Sequence, residues 1–317
     1  MITLKEIAEQ IKSKDDFAIL FHVRPDGDSV GSGFALYRAL KTMGKSVSVI
    51  CSDTIPAKFS FLPDVKAVKT TFDHKYSVCI ALDCADLERL GENAYEFSKC
   101  KDTYNIDHHA TNPRYAKTNF VLDTASNCEN VYALIKELGA TIDKDTANLL
   151  LLGILTDTGG FQHRNVVEET LKSAGELVSL GADITDLSYR MFTSQSKERA
   201  KLHGKAMSNI KYFLDDRLAI ITMFKKDFPE TGAKREDTEG FIDFVMGIDT
   251  VKVGIALTEM DNGSFKASMR SKGPNVSAIA GVYGGGGHIL ASGCQLSGDY
   301  YEVLDKLVYT VSQYMED

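Results

Sequence analysis

The chain has 317 residues, 44% of them hydrophobic and 25% charged, with a formal net charge of −8. That is enough chain for two domains with ordinary globular cores, and no apolar run approaches the roughly 20 residues that a membrane-spanning helix requires. The acidic balance excludes the broad basic face on which tracking of long nucleic acid depends, so an anionic substrate is expected to be short and drawn in by metal ions and a few cations.

The N-terminus, Met1-Ile-Thr-Leu-Lys-Glu, lacks the apolar core of a signal peptide, and a cytoplasmic location is expected. Phe17–Phe21 reads as a buried strand and residues 28–43 as a helix stopped by Gly44. Strand patterns follow at 46–50, 77–82, 103–106 and 119–122, and helical spacing at 127–138, 143–155 and 166–180. Such alternation predicts an α/β domain with a mostly parallel sheet and helices on both faces. Residues 183–210 read as one long polar helix whose charges (Arg190, Lys197, Arg199, Lys201, Lys205) form a solvated face, the natural connector between domains. From Arg217 the pattern changes. Strands are expected at 218–224, 251–259 and 264–270, with Asn262-Gly263 as a hairpin turn. Helices are expected at 236–247, 276–283 and 301–314, giving a smaller α/β domain with a mixed sheet. The expected domains are therefore residues 1–185 and 213–317, joined by a helical linker over 186–212, with the active site in a cleft between them. Six cysteines (51, 79, 84, 100, 128, 294) contain no Cys-x-x-Cys pair, which excludes the usual zinc and thioredoxin spacings, and they are expected to be reduced core residues.

Four stretches end apolar elements in acids or histidines. The first is His22-x-x-x-Asp26-x-Asp28, after a strand, where open α/β sheets hold ligands. An EF-hand loop would need an acid or amide at Val30 and Glu at Tyr37, and a phosphate loop would need Gly-Lys-Ser/Thr; neither is present. Read structurally, Asp28 is a helix cap and Asp26-Gly27 a turn. The second stretch puts Asp83 after residues 77–82, the third is Asp107-His108-His109, and the fourth is Thr156-Asp157-Thr-Gly159-Gly160. One acid at a strand end is usually a cap; four such sites are not explained that way. Carboxylates and imidazoles without thiolates suit a fairly hard divalent ion, Mn²⁺ first, with Mg²⁺, Co²⁺ or Fe²⁺ as alternatives. Six candidate ligands exceed what one ion with an open position needs. They fit two ions about 3.5–4 Å apart, bridged by a carboxylate and a water that the pair acidifies for in-line attack at phosphorus.

Asp107-His108-His109 resembles the signature for which the DHH phosphoesterases are named, and the other three stretches resemble that family's remaining motifs in order. The resemblance implies that His22 and Asp26 hold one ion, that Asp28, His108 and Asp157 hold the other, and that Asp83 bridges. It implies that His109 contacts the scissile phosphate or protonates the leaving oxygen, and that Asp107 orients the neighbouring histidines. One departure is Gly160-Phe-Gln162-His163-Arg164, where the family pattern places a basic residue nearer Gly159 and Arg164 is the nearest cation. His74, His163 and His203 fall outside the motifs.

In the second half, Arg270-Ser271 and Gly284 to Gly287 followed by His288 stand out. Consecutive glycines let backbone N–H groups approach an anion, and Arg270 can grip a phosphate bidentately or stack on a base. A bare glycine run is otherwise a flexible loop. Together with the first-domain motifs, these residues resemble the DHH-associated domain, and the two-domain layout resembles the nanoRNase type. That resemblance implies a hydrolase of short oligoribonucleotides, linear dinucleotides and 3′-phosphoadenosine 5′-phosphate (pAp). It implies substrate contacts at Arg270, Ser271, Gly285, Gly286, Gly287 and His288, no long double-stranded nucleic acid or membrane as partner, and a homodimer as the oligomer to test. The rival readings are an inorganic pyrophosphatase or short-chain exopolyphosphatase and, from another class, a catalytically silent nucleotide-binding regulator.

Overall fold

The computed structural model describes residues 2–315; Met1, Glu316 and Asp317, the outermost residues of the two expected domains, lie outside them. The chain divides into two compact units, residues 2–194 and 195–315. No described helix is long and apolar enough to cross a membrane.

Unit 1 runs α1 (Leu4–Lys12), β1 (Phe17–Phe21), α2 (Gly27–Thr42), β2 (Val47–Ile50), β3 (Val68–Lys69), β4 (Val78–Leu82), α3 (Ala94–Lys99), β5 (Asp102–Asp107), β6 (Thr118–Val121), α4 (Asn127–Leu138), α5 (Lys144–Asp157), α6 (Glu168–Ser179) and α7 (Ile184–Ser188). Its described strands form one sheet in the order β3-β2-β1-β4-β5-β6, parallel at every pairing. Both faces are covered, which is why β1 and β4 read as unbroken apolar runs. Phe17, Ile19 and Phe21 pack among residues of α1, α2, α4 and α5, while Ala18 and Leu20 pack with Cys79, Ala81 and Phe97 on the other face. The chain leaves β1 toward β2 on one side and later returns to β4 on the other. The β1/β4 boundary is thus a topological switch point, whose carboxyl edge is where such sheets bind ligands. His22 follows β1 directly and Asp83 follows β4.

Helices α2 and α5 approach closely because glycines line the contact. A Cβ at Gly31 would fall 2.4 Å from the Leu149 carbonyl oxygen, and one at Gly27 would strike Thr156. All six cysteines are buried and unpaired, as expected of packing residues.

The single helix expected over 183–210 is broken. After α7 comes a π-helical turn over Tyr189–Thr193, then extended residues, then α8 (Lys197–Ser208), capped by Ser196, whose hydroxyl accepts from the Arg199 N–H at 3.0 Å. Ser-x-Ser at 194–196 supplies a cap that competes with helix continuation.

Unit 2 continues with β7 (Lys211–Phe213), β8 (Leu218–Met223), α9 (Asp227–Thr231), α10 (Phe241–Met246), β9 (Val253–Glu259), β10 (Phe265–Ser271), α11 (Val276–Gly281), β11 (Gly286–His288), β12 (Ala291–Leu296) and α12 (Tyr300–Ser312). Its sheet, in the order β11-β12-β10-β9-β8-β7, is mixed: β8/β9 are parallel and the other pairs antiparallel. The helix expected over 236–247 is shorter, because Gly240 takes φ +80° and separates a 3₁₀ turn from α10.

Candidate metal centre

Each of the four motifs arrives at the carboxyl edge of the unit 1 sheet. Asp26, rather than Asp28, caps α2: its Oδ1 accepts from the Ser29 N–H at 3.0 Å, and its own N–H donates to the Ser29 hydroxyl at 2.9 Å. The other oxygen, Oδ2, stands 3.4 Å from His22 Nε2. Asp28 is wholly buried in the first turn, and backbone N–H groups of Asn127 and Cys128, at the start of α4, donate to its two oxygens. Asp83 occupies the left-handed region (φ +50°), which Asp tolerates better than most residues and which turns the chain sharply at the end of β4. Asp157 closes the last turn of α5, two residues beyond the expected end of that helix.

The ring orientations are set by carbonyls, which can only accept. His22 Nδ1–H donates to the Val23 carbonyl at 2.8 Å, and His108 Nδ1–H to the Thr124 carbonyl at 3.1 Å. Both rings therefore present Nε2 to the acids. His22 Nε2 lies 3.6 Å from Asp83 Oδ2, and His108 Nε2 lies 3.4 Å from Asp83 Oδ1 and 3.5 Å from Asp157 Oδ2. Two triplets result, His22-Asp26-Asp83 and Asp28-His108-Asp157, each with its ligand atoms within 4.8 Å of one another. Asp83 turns one oxygen toward each triplet. A third triplet, Asp83-His108-His109, is equally compact. His109, however, approaches Asp83 only through Nδ1 (3.8 Å), whose proton is already given to Asp107 at 2.8 Å. That leaves His109 Nε2 for other partners. Asp107 is itself fixed by the Asn112 amide, so it orients His109 rather than both histidines.

The donor set fits divalent cations on three counts. All ligand atoms are carboxylate oxygens or imidazole nitrogens, as hard ions prefer. Asp83 Oδ1 is buried without a hydrogen-bond partner, an arrangement that is costly unless something binds it. The acids also repel one another. Burial, then Asp83, pushes the Asp28 carboxyl up to about 7, and burial, then Asp28 and Asp83, pushes Asp157 up to about 10. Burial opposes charge on His22 and His108, but Asp26 and Asp83 around the first, and Asp83 and Asp28 around the second, outweigh it and raise both to about 10. Protons hold the charge balance that cations would otherwise hold.

Several supporting groups carried no motif. The N–H groups of Asn127 and Cys128, the Thr124 carbonyl and Asn112 hold candidate ligands or their neighbours in place. The remaining signal lay in glycines four apart, Gly27 and Gly31, in an apolar helix. His163, outside the motifs, gives its Nδ1 proton to the Asp157 carbonyl at 3.0 Å and packs over Gly159, so it braces the turn behind a candidate ligand. Arg164 is exposed. A Cβ at Gly153 would lie 2.3 Å from Cys128 Sγ and 2.5 Å from Asp28 Oδ1. Gly153→Ala is therefore expected to lower kcat by about 100-fold through displacement of one carboxylate, with about 1–3 kcal/mol of destabilisation in urea melts; unchanged kcat would show that Asp28 has slack.

In unit 2 the glycine run is not a free loop. Gly286–His288 form edge strand β11 against β12, and a Cβ at Gly285 would strike the Gly293 carbonyl oxygen at 2.3 Å. The glycines there permit close strand packing. The register aligns Arg270 with Ala291 and Ala291 with His288, so Arg270 and His288 share one face two strands apart, about 9–10 Å between backbones. The Ser271 hydroxyl accepts from the Gly273 N–H at 2.9 Å.

Comparison with known proteins places the description "DHH family, N-terminal domain" on residues 16–154 and "DHHA1 domain" on 215–317. A Thermus thermophilus protein named bifunctional oligoribonuclease and PAP phosphatase NrnA is 33% identical over 93% of this chain and 89% of its own length. A Bacillus cereus protein named probable manganese-dependent inorganic pyrophosphatase is 25% identical over 76% of this chain and 74% of its own. The crystal structure of an exopolyphosphatase-related protein from Bacteroides fragilis superposes with a TM-score of 0.87 at 27% identity, covering 98% of this chain and 96% of that one.

Proposed function

We propose an activity from one premise: this chain belongs to the DHH family, with a DHH N-terminal domain followed by a DHHA1 domain. It is a metal-dependent hydrolase that cleaves short oligoribonucleotides and linear dinucleotides to mononucleotides and removes a phosphate from pAp; the Thermus thermophilus relative is named for oligoribonuclease and PAP phosphatase activities. The observation that supports this most is Asp83, buried between two imidazoles with one oxygen toward each and no hydrogen-bond partner for Oδ1.

Two divalent ions, manganese first, fit the two triplets: His22 and Asp26 would hold one, Asp28, His108 and Asp157 the other, and Asp83 both. Such a pair supplies an acidified water and neutralises charge at a phosphorus centre. The protein's own groups do the rest. Val23 and Thr124 fix the two ligand imidazoles, and Asn127 and Cys128 fix Asp28. Asp107 accepts the His109 Nδ1 proton and so turns Nε2 away from the acids; in the imidazolium form that Nε2–H would donate to the scissile phosphate or the leaving oxygen. In unit 2, Arg270 and His288 on one face, with Ser271 and Gly285–Gly287 beside them, would hold the terminal nucleotide.

Incubation of the manganese-loaded protein with a labelled dinucleotide, pAp and pyrophosphate in parallel tests this reading. Turnover of the first two is expected; phosphate release from pyrophosphate alone would make it a pyrophosphatase, and binding without turnover a regulator. Arg270→Ala is expected to raise KM for a dinucleotide by about 10–100-fold with little change for bis-p-nitrophenyl phosphate. Equal effects on both would remove Arg270 from nucleotide gripping.

A further inference from the structure

A cavity of about 810 Å³ opens in unit 2 beyond the carboxyl ends of β8 and β9, the parallel pair of that sheet. Its volume is within the range of small-molecule sites, and its place outside parallel strand ends is where α/β sheets commonly bind ligands. It is remote from Arg270. That residue pairs with Gly254 at the start of β9, whereas the cavity meets Glu259 at the end, five residues or about 17 Å further along the strand.

The lining joins rings and cations. Phe224 and Phe228 form an apolar wall, and the Arg235 guanidinium lies 5.2 Å from the Phe228 ring centroid. Arg235 is held there by the Glu259 carbonyl at 2.8 Å and Asp261 Oδ1 at 3.1 Å, so its planar group is fixed before any ligand arrives. Lys225, Lys226 and Lys234 stand around the mouth. Against these four cations the lining offers two acids, Glu259 and Asp261, and Glu236 just outside it stands 3.6 Å from Lys234 Nζ on the exposed surface. Glu259 Oε2 already accepts from the Lys225 backbone N–H, and Asp261 is divided between Arg235 and Lys225, whose Nζ is 3.6 Å away. Lys226 has no ion-pair partner among the described residues and rests 5.9 Å from the Phe224 ring. In a chain of net charge −8, this is a local cationic surplus beside two aromatic side chains.

We propose that this cavity is a second nucleotide site, which takes a nucleoside monophosphate with its base against Phe224, Phe228 and the Arg235 plane and its phosphate among Lys225, Lys226 and Lys234. Aromatic faces with an adjoining guanidinium hold bases of any sequence, and mobile ammonium groups suit a dianionic phosphate. The site needs no metal ion and does not depend on the reading of the metal centre.

The chain contains no tryptophan, so Phe224→Trp installs a single fluorescent reporter in the wall. With the full, manganese-loaded F224W protein, 5′-AMP is expected to quench that signal saturably, and more tightly than adenosine or inorganic phosphate. Lys226→Glu with Lys234→Glu, both at exposed positions, is expected to weaken AMP at least tenfold with circular dichroism unchanged, while Arg270→Ala leaves the titration in place. Absence of saturable quenching, AMP no tighter than adenosine or phosphate, or equal binding by the lysine variant would overturn the proposal. Calorimetry of AMP binding to the protein without the tryptophan gives a second measure: loss of one binding event in the lysine double variant supports the site, and an unchanged isotherm contradicts it.

Discussion

Asp83→Asn is expected to reduce manganese-dependent hydrolysis of a dinucleotide by at least about 10³-fold and, in the same protein, to destabilise the metal-free fold near neutral pH. The two effects share one cause. Asp83 is buried at the junction of both triplets, where its charge faces whatever cations the site holds. Without metal those are the imidazoles of His22 and His108, which burial would lower but which Asp83, with Asp26 and Asp28, raises to about 10, while Asp28 and Asp157, pushed up to about 7 and about 10, take up protons themselves. The amide keeps the shape of the carboxylate and removes its charge. Thermal melts in chelator should therefore fall relative to wild type, and melts in manganese should lose most of the metal-induced gain, because a ligand binding only the folded state stabilises by an amount that grows with its affinity. Wild-type turnover in manganese would remove Asp83 from the bridging role. Unchanged or higher stability in chelator would show that the two histidines do not depend on Asp83.

The second large effect is on pH. In the metal-free protein, Asp28 and Asp157 have folded-state pKa values raised above the ordinary carboxylate value, so the folded state binds more protons than the unfolded chain from about pH 4 up to about 7 and about 10. His22 and His108 are raised to about 10, so their contribution is fully present below the ordinary imidazole value and is lost as pH climbs toward 10. All four act in the same direction, and stability without metal should fall as pH rises. Asp26, held well below the ordinary range by His22 and Ser29 against the opposing effect of burial, contributes nothing to this window, since it loses stability only under strong acid. Between pH 6 and 8.5 the melting temperature in chelator is expected to drop by on the order of 5–10 °C. Manganese should cancel the drop, with a larger gain at the higher pH, because ions displace protons from the same atoms. A flat profile in chelator would mean that these side chains are not crowded in solution.

Much of this site was legible before any fold was known, for a physical reason. Parallel strands buried on both faces advertise themselves as runs such as Phe17–Phe21 and residues 78–82, and the polar residue that ends each run must then lie at the sheet edge. The arrangement of His22, Asp83 and His108 around one point follows from that rule together with the strand order. What sequence left hidden was of two kinds. Backbone groups carry no residue signature, so the N–H groups that grip Asp28 and the carbonyls that orient His22 and His108 could not be read. Short edge strands are set by their neighbours more than by propensity, so the glycine stretch of β11 carries no strand signal in the sequence and neither does β12. The sequence places the cap of α2 two residues late, because Asp26 and Asp28 are equally good caps on paper. The pairing of Asp26 with Ser29 decides it. The break before α8 belongs to the same class: the charge pattern of residues 183–210 is helical throughout, and only the Ser196 cap interrupts it.

The claim on which the account turns is that Asp83 stands between two cations. A crystal grown with manganese and measured at the manganese absorption edge tests it most directly. Two anomalous peaks about 3.5–4 Å apart, one beside His22 and Asp26, the other beside Asp28, His108 and Asp157, with an Asp83 oxygen on each, is the predicted result. A single peak, or none among these six side chains, would contradict it.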